Sequence, residues 1–543
     1  MSVVGSVIDA ARGVDIASIL VLVTAVLILS HLLPWLVDPH GIRSYPGPWL
    51  AKFSDAWLGW TAANGHRSEV VHDLHKKYGP IVRLAPNHVS ISDPAALQIV
   101  YAHGNGSLKS NFYDAFVSIQ RGLFNTRDRA AHARKRKIVS HIFSQKSVLE
   151  FEPNVREYVK MLLQQWDRLS DMAAKDMEGE EGEGGWKGRG GRLWLDCLPW
   201  YNYLAFDIIG DLAFGNPFGM LRSAKDSAPV AKSQEAAIAS YGKENVTCEV
   251  VSFPAVQILN DRGEFSAAMG VLPPWWRPLV KRYIPWFSNG DKAVKNLAGL
   301  AIAGVSKRLA MPTYRVDLLS KLQEGKDDEG RPMGREELTA EALTQLIAGS
   351  DTTSNTSCAI TYYLAANPRC QEKLQHELDE ALANEDDPVS TFDTVKRLPY
   401  LEAVINESIR IHSTSGVGLP RVVSEGGMII HGKTFPEGTI LSVPSYTIHR
   451  DIDVWGNDPD SFRPERWFEQ DSDAIQKTFN PFSFGPRACV GRNLANMELL
   501  IIISSILRRY HFVLEEPEKR LQTREGFLRK PLHCKVGIKR RDL

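Results

Sequence analysis

The chain has 543 residues, 43% hydrophobic and 24% charged, with 64 basic and 64 acidic side chains. A chain of this length buries a large core; its composition excludes disordered, fibrous and disulfide-dense classes, and a net charge of zero supplies no field favouring nucleic acid. Six widely spaced cysteines without a C-x-x-C pair suit free thiols in a reducing compartment.

Residues 1–15 form a short N-terminal segment. Residues 16–37 (IASILVLVTAVLILSHLLPWLV) carry no charged side chain; as a helix they would rise about 33 Å, enough for a transmembrane span. The run is too long for a cleaved signal, and no small-x-small site precedes Asp38. Flanking charge weakly favours a cytosolic body. Pro39, Pro46, Gly47 and Pro48 make residues 38–48 a stiff linker, leaving residues 49–543 as a single domain.

Residues 81–84 and 89–91 read as short strands. Residues 175–192 (KDMEGEEGEGGWKGRGGR) cannot bury apolar area and read as a mobile surface loop. Helices are expected over 200–214, over 336–366 before Asn367-Pro368, over 400–412 after Pro399, and over 494–509. Strands are expected at 428–430 and 439–443. The fold class is mainly α with small β-sheets. Residues 427–434 (GMIIHGKT) fit the Walker A expression, but the strand lies inside the match and no helix follows, so this is a hairpin and not a nucleotide site.

Residues 482–491 read FSFGPRACVG. Gly485 and Pro486 force a turn, Arg487 and Cys489 project from it, and Gly491 opens the next helix. A thiolate at Cys489 would gain from loop amides and the positive helix end, and such a soft ligand suits haem iron. The segment resembles the haem-binding loop of the cytochrome P-450 superfamily, F-x-x-G-x-R-x-C-x-G, at Phe482, Gly485, Arg487, Cys489 and Gly491. Chance supplies such a match about once in 10⁴ chains of this length.

That resemblance implies a cytochrome P-450 fold, haem b with Cys489 as the axial metal ligand, O2 and NADPH as co-substrates, and a separate NADPH-cytochrome P-450 reductase. It implies an endoplasmic reticulum location, with one membrane pass and the catalytic domain in the cytosol. Residues 348–353 (AGSDTT) are similar to the superfamily's oxygen-activating segment, making Thr352 the alcohol and Asp351 the proton relay. Glu407 and Arg410, three apart on a helix, would pair with Arg466 of FRPERW as structural support, Trp467 standing where Phe is usual. Haem propionates would meet His132, Arg136, Arg421 and Arg487. Arg134, Lys135 and Lys137 read as a solvated basic face.

Residues 83–94, 109–116 and 121–153 are further similar to the fungal benzoate 4-monooxygenases. A small aromatic carboxylic acid is then the implied substrate, para-hydroxylated, with Tyr113, Ser413, Thr414 and Ser415 as donors to its carboxylate; Asp114 would repel an anion if it pointed inward. The rival readings are a monooxygenase of a larger apolar or secondary metabolite, a haem-thiolate isomerase or dehydratase, and a haem-binding sensor.

Overall fold

The computed structural model describes residues 15–241, 248–310 and 316–542; the segment 1–15 therefore falls outside the described residues except for Asp15. An apolar helix runs Ile16–Val37, capped by Asp15, whose carboxylate accepts the Ser18 N–H at 2.7 Å. It is long and apolar enough to cross a membrane, and its apolar side chains are left unburied. Its C-terminal end touches the body through His31 Nδ1 to the Phe53 carbonyl at 3.0 Å and Trp35 against Phe53.

The residues after this helix are docked on the body. Asp38 accepts the Ile42 and Arg43 N–H groups, Ile42 is buried, and the Pro46 carbonyl takes the Arg83 N–H at 2.7 Å. Gly47 is required there, because a Cβ would lie 2.2 Å from the Arg83 carbonyl oxygen.

At the centre lies the 32-residue helix Arg335–Ala366, with Glu336 and Glu337 in its positive first turn and Pro368 beyond its end. It packs against Cys197–Phe214, in which every residue is buried, and against Pro399–His412 and Arg492–Arg509. All four helices begin within three residues of their expected starts and end where expected.

Two five-stranded sheets flank this core. One runs in the order Ile81–Ala85, His88–Ile91, Ile440–Ser442, Arg421–Val422, Leu108–Lys109. Its last antiparallel pair sets Lys109 opposite Arg421. Residues 428–435 form the expected hairpin, with His431 and Gly432 at positive φ in the turn.

The second sheet corrects the reading of residues 175–192 as a mobile loop. Glu178–Gly179 and Trp186–Arg189 extend a sheet made by Arg192–Asp196, Lys535–Arg540 and Tyr510–Leu514. Gly190 and Gly191, φ 60° and 68°, form the tight turn, and buried Trp186 pairs with Leu195 while its indole donates to Glu181 at 2.6 Å. Average composition hid this alternation and its Gly-Gly turn.

Glu407, Arg410 and Arg466 are fully buried. Both Glu407 oxygens accept from Arg410 at 2.8 Å, and one also accepts from Arg466 Nε at 2.8 Å. The Arg463 N–H and the Trp467 indole N–H, at 3.0 and 3.1 Å, complete the shell. Tryptophan in place of phenylalanine thus adds a donor. Arg410 passes the link on to the carbonyls of His449 and Pro459 at 2.7 Å. Glu407→Ala would remove the carboxylate that two buried guanidinium groups share, a loss of about 3–5 kcal/mol. Denaturant unfolding followed by tryptophan fluorescence should show that loss, with Glu407→Gln in between.

Candidate functional site

The cysteine loop is set by close contacts. The Cys489 N–H donates to the Phe482 carbonyl at 2.8 Å. Gly485 has φ 69°, and a Cβ there would lie 2.0 Å from the Tyr101 carbonyl oxygen, so only glycine fits. Gly491 sits at the start of Arg492–Arg509, with no side chain to stand beside the Cys489 sulfur. Burial pushes the Cys489 thiol up, opposed by the Gly491 N–H and by Arg136 and Arg492. Yet the side chain is accessible, so it faces open space within dense surroundings.

The other cysteines behave differently. All six are free thiols in this structure. Cys197, Cys358 and Cys534 place their sulfurs within 4.8 Å of one another, but all three are sealed in the hydrophobic core.

Cationic groups gather around the cysteine loop. Arg136 donates to the Ala488 carbonyl at 2.6 Å, Arg487 to the carbonyls of Thr126 and Arg127 at 2.7 and 3.1 Å, and Arg421 to the Tyr113 hydroxyl at 2.8 Å. Buried Lys109, which the sequence did not single out, donates to the Phe124 carbonyl and lies 4.5 Å from the Tyr113 ring centre. Burial and then Arg421, Arg487 and Arg136 push its ammonium well down. His132 is pushed down to about 3 by burial and then by Arg487, Lys109, Arg136 and Arg421. Burial and then Arg421 lower Arg487 to about 10. Among the described residues, none of these five groups forms an ion pair with a carboxylate. A nest of buried positive charge is costly unless an anion joins it. It fits the carboxylates of a haem, and the accessible sulfur beside Arg136 fits its metal.

The basic helix Arg129–Ser140 needs a correction. Lys135 is buried and Arg134 half-buried; both pair with Glu337, and Lys135 also lies 3.8 Å from Glu341. Only Lys137, paired with Asp328, is on the solvated face. The partners come from the central helix, about 200 residues away, so local charge could not reveal them.

Between its accessible ends the central helix is buried except at residues 344, 347, 348, 349, 351 and 352, which are left partly or fully accessible. Helical spacing puts 344, 347, 348, 351 and 352 on one face, with 349 at its flank. The Thr352 hydroxyl donates to the Ala348 carbonyl at 2.7 Å. Gly349 meets Ile209, which a Cβ would approach to 2.8 Å. Burial raises the Asp351 carboxyl to about 6, with Lys530 and Arg262 opposing. On the opposite side, Thr353 donates at 2.8 Å to buried Glu498, raised by burial to about 7; sequence reasoning missed this pair.

The donors expected for a substrate carboxylate are mostly engaged elsewhere. The Ser413 hydroxyl bonds the Arg410 carbonyl at 2.6 Å and His449 at 3.1 Å, because Ser413 closes the helix Pro399–His412 at φ 47°. Thr414 bonds Thr356 at 3.2 Å, and Tyr113 serves Arg421. Ser415 follows Thr414 in the chain and, among the described residues, forms no hydrogen bond. Asp114 is neutralised by Arg121 and Arg127, each at 2.8 Å, and so exerts no open repulsion. Phe112, Phe116, Phe124 and Phe527 pack ring against ring, with centres 5.1–6.3 Å apart.

A family model for cytochrome P-450 matches residues 46–538. The chain is 51% identical to benzoate 4-monooxygenase bphA of Aspergillus niger, over 95% of this chain and 96% of that protein. It is 33% identical to cytochrome P-450 monooxygenase traB of Penicillium crustosum, over 88% and 87%, and 31% identical to cytochrome P-450 monooxygenase hepC of Aspergillus oryzae, over 87% of each.

Asp351 links the stability of the fold to pH. Its carboxyl is raised in the fold, so the protonated form is favoured there; ionising it costs stability as pH climbs from about 4 through about 6, and the cost is complete above that. Asp351→Asn should therefore raise the unfolding free energy at pH 7.5 by something on the order of 2 kcal/mol, and by much less at pH 4. Denaturant midpoints at the two pH values check this.

Proposed function

The chain belongs to the cytochrome P-450 family, and from that premise we propose that it para-hydroxylates benzoate to 4-hydroxybenzoate, using O2 and electrons from an NADPH-dependent reductase. The family carries a haem with a cysteine thiolate ligand, and the chain is an oxidoreductase of the monooxygenase type. The observation that carries the substrate is the 51% identity to a benzoate 4-monooxygenase along nearly the whole of both chains.

In this reading Cys489 holds the iron, and Phe482, Gly485 and Gly491 shape the loop so that its sulfur stays accessible. His132, Arg136, Arg421 and Arg487, with Lys109, hold the two propionates. The unpaired charge of these groups supports that assignment, since the anion would relieve their mutual repulsion. Bound haem supplies oxygen activation, aided by the electron push of the thiolate.

The protein's own part is to deliver protons and exclude water. Thr352 stands on the accessible face of the central helix, and its hydroxyl can leave the Ala348 carbonyl to donate into the pocket. Asp351, whose carboxyl exchanges its proton near pH 6, can reload that hydroxyl. Lys530 and Arg262 keep the ionised form within reach. The phenylalanines at 112, 116, 124 and 527 form a dry wall suited to an aromatic ring.

The helix Ile16–Val37 supports a single-pass anchor in the endoplasmic reticulum membrane with the body in the cytosol. A body docked through residues 38–48 would sit close to that membrane. The second reading, oxidation of a larger secondary metabolite, draws on the relatives at 31–33% identity.

Purified enzyme with reductase, NADPH and benzoate should yield 4-hydroxybenzoate by chromatography; no product from benzoate alongside turnover of larger aromatics would favour the second reading. Cys489→Ala should abolish the thiolate-shifted Soret band of the reduced carbon monoxide complex, and a retained band would refute the ligand. Thr352→Ala should keep haem but lower product per NADPH about tenfold or more, with the missing electrons recovered as hydrogen peroxide.

A further inference from the structure

The helix Ala255–Val271 lies against the segment Asn111–Phe116, with Gly270 so close that a Cβ would meet the Phe112 carbonyl oxygen at 2.7 Å. Arg262, Ser266 and Gly270 are spaced four apart and so share one face. Arg262 is 6% exposed and Ser266 fully buried. One end of the guanidinium is used, Nη2 donating to the Phe116 carbonyl at 2.9 Å, with the cation 5.2 Å from the Phe116 ring centre. Its Nε–H and the Ser266 hydroxyl have no hydrogen-bond partner. Among the described residues Arg262 forms no ion pair. The carboxylate within its electrostatic reach is Asp351, on the accessible face of the central helix.

Buried polar groups are almost always satisfied, and buried charges are almost always paired. Two orphaned donors on one helix face, one of them charged, form a receptor that lacks its acceptor. The wall beside them is aromatic: Phe116, Phe124 and Phe527 stand with ring centres 5.1–5.6 Å apart. An aromatic ring against that wall and a carboxylate on the two donors would satisfy both halves at once.

We propose that Arg262 and Ser266 form the carboxylate subsite of this enzyme and so select an aromatic acid over its neutral analogues. This rests on the aromatic-acid reading of the function. It replaces the hydroxyls of Ser413 and Thr414, which have local partners, with a cation that has no carboxylate partner and an unused Nε–H. Tethering Asp351 is the competing role for Arg262, and it would make no distinction between charged and neutral ligands.

The test uses the full-length, haem-loaded enzyme and two probes of nearly equal shape, benzoate and neutral benzamide. Binding is read by equilibrium dialysis of the labelled compounds and by the spin-state change of the ferric haem. Arg262→Gln should weaken benzoate about 10- to 100-fold, as expected for losing a charge-assisted hydrogen bond, while benzamide changes far less. Arg262→Lys should recover part of the benzoate affinity, and Ser266→Ala should weaken benzoate selectively by a smaller factor. Ser266→Ala also keeps the question open to measurement if Arg262→Gln is poorly folded. Equal loss for both probes, or unchanged benzoate binding, overturns the subsite while leaving benzoate as a substrate. A wild-type enzyme that binds no aromatic carboxylate removes the functional reading, and the subsite with it.

Discussion

Repulsion among buried Lys109 and Arg421 and half-buried Arg136 and Arg487, with His132 held neutral beside them, is the constraint on which the cysteine loop's surroundings depend. Nothing in their hydrogen bonding relieves it, because their acceptors are backbone carbonyls and a tyrosine hydroxyl. Strand pairing makes the problem worse by setting Lys109 across from Arg421, where like charges are destabilising. Such an arrangement survives in a folded protein when an anion is part of the fold. In the proposed reading the two carboxylates of the family's haem would meet that need, and cofactor binding and folding would then be strongly linked.

The framework behind the loop solves the opposite problem. Glu407 is as deeply buried as any residue in the protein, yet each of its oxygens is satisfied by arginine, and indole and backbone donors fill the remaining places. Here charge is fully matched and serves rigidity. Arg410 and Arg466 then bind the carbonyls of residues 449, 455, 458, 459 and 461, so that irregular backbone without helix or sheet partners is still held in one conformation.

How much of this could be read from the sequence depends on how local each feature is. The cysteine loop is ten consecutive residues, and its glycines answer to contacts that any such turn would make. The helix Cys197–Phe214 announces itself by an apolar run before Gly215, and Arg335–Ala366 by its length, its acidic start and Asn367-Pro368 at its end. Lys109 was invisible, because its burial follows from pairing with a strand more than 300 residues away. Arg134 and Lys135 looked solvated for the same reason, their partners Glu337 and Glu341 lying on another helix. Residues 175–192 were misread because an average over glycine and glutamate conceals one buried tryptophan and one Gly-Gly turn. Ser413 and Thr414 looked free because hydroxyls carry no sequence mark of a local acceptor.

The same chain thus handles buried charge in three ways, and the differences separate structure from chemistry. Where a carboxylate and arginines meet, as at Glu407, the charges cancel and the group has nothing left to offer a ligand. Where cations meet only uncharged acceptors, as around Cys489, they remain free to receive an anion. Where carboxyls are buried without an ion-pairing cation, as at Glu498 and Asp351, they are raised to about 7 and about 6 and can exchange protons under ordinary conditions. Had Asp351 been placed beside Arg136 or Arg487, it would have joined an ion pair and lost both uses at once, its own proton exchange and the cation's hold on an anion. Keeping the raised carboxyl on the central helix and the bare cations at the cysteine loop preserves both, at the cost of stability that Glu407 and its arginines help to make good.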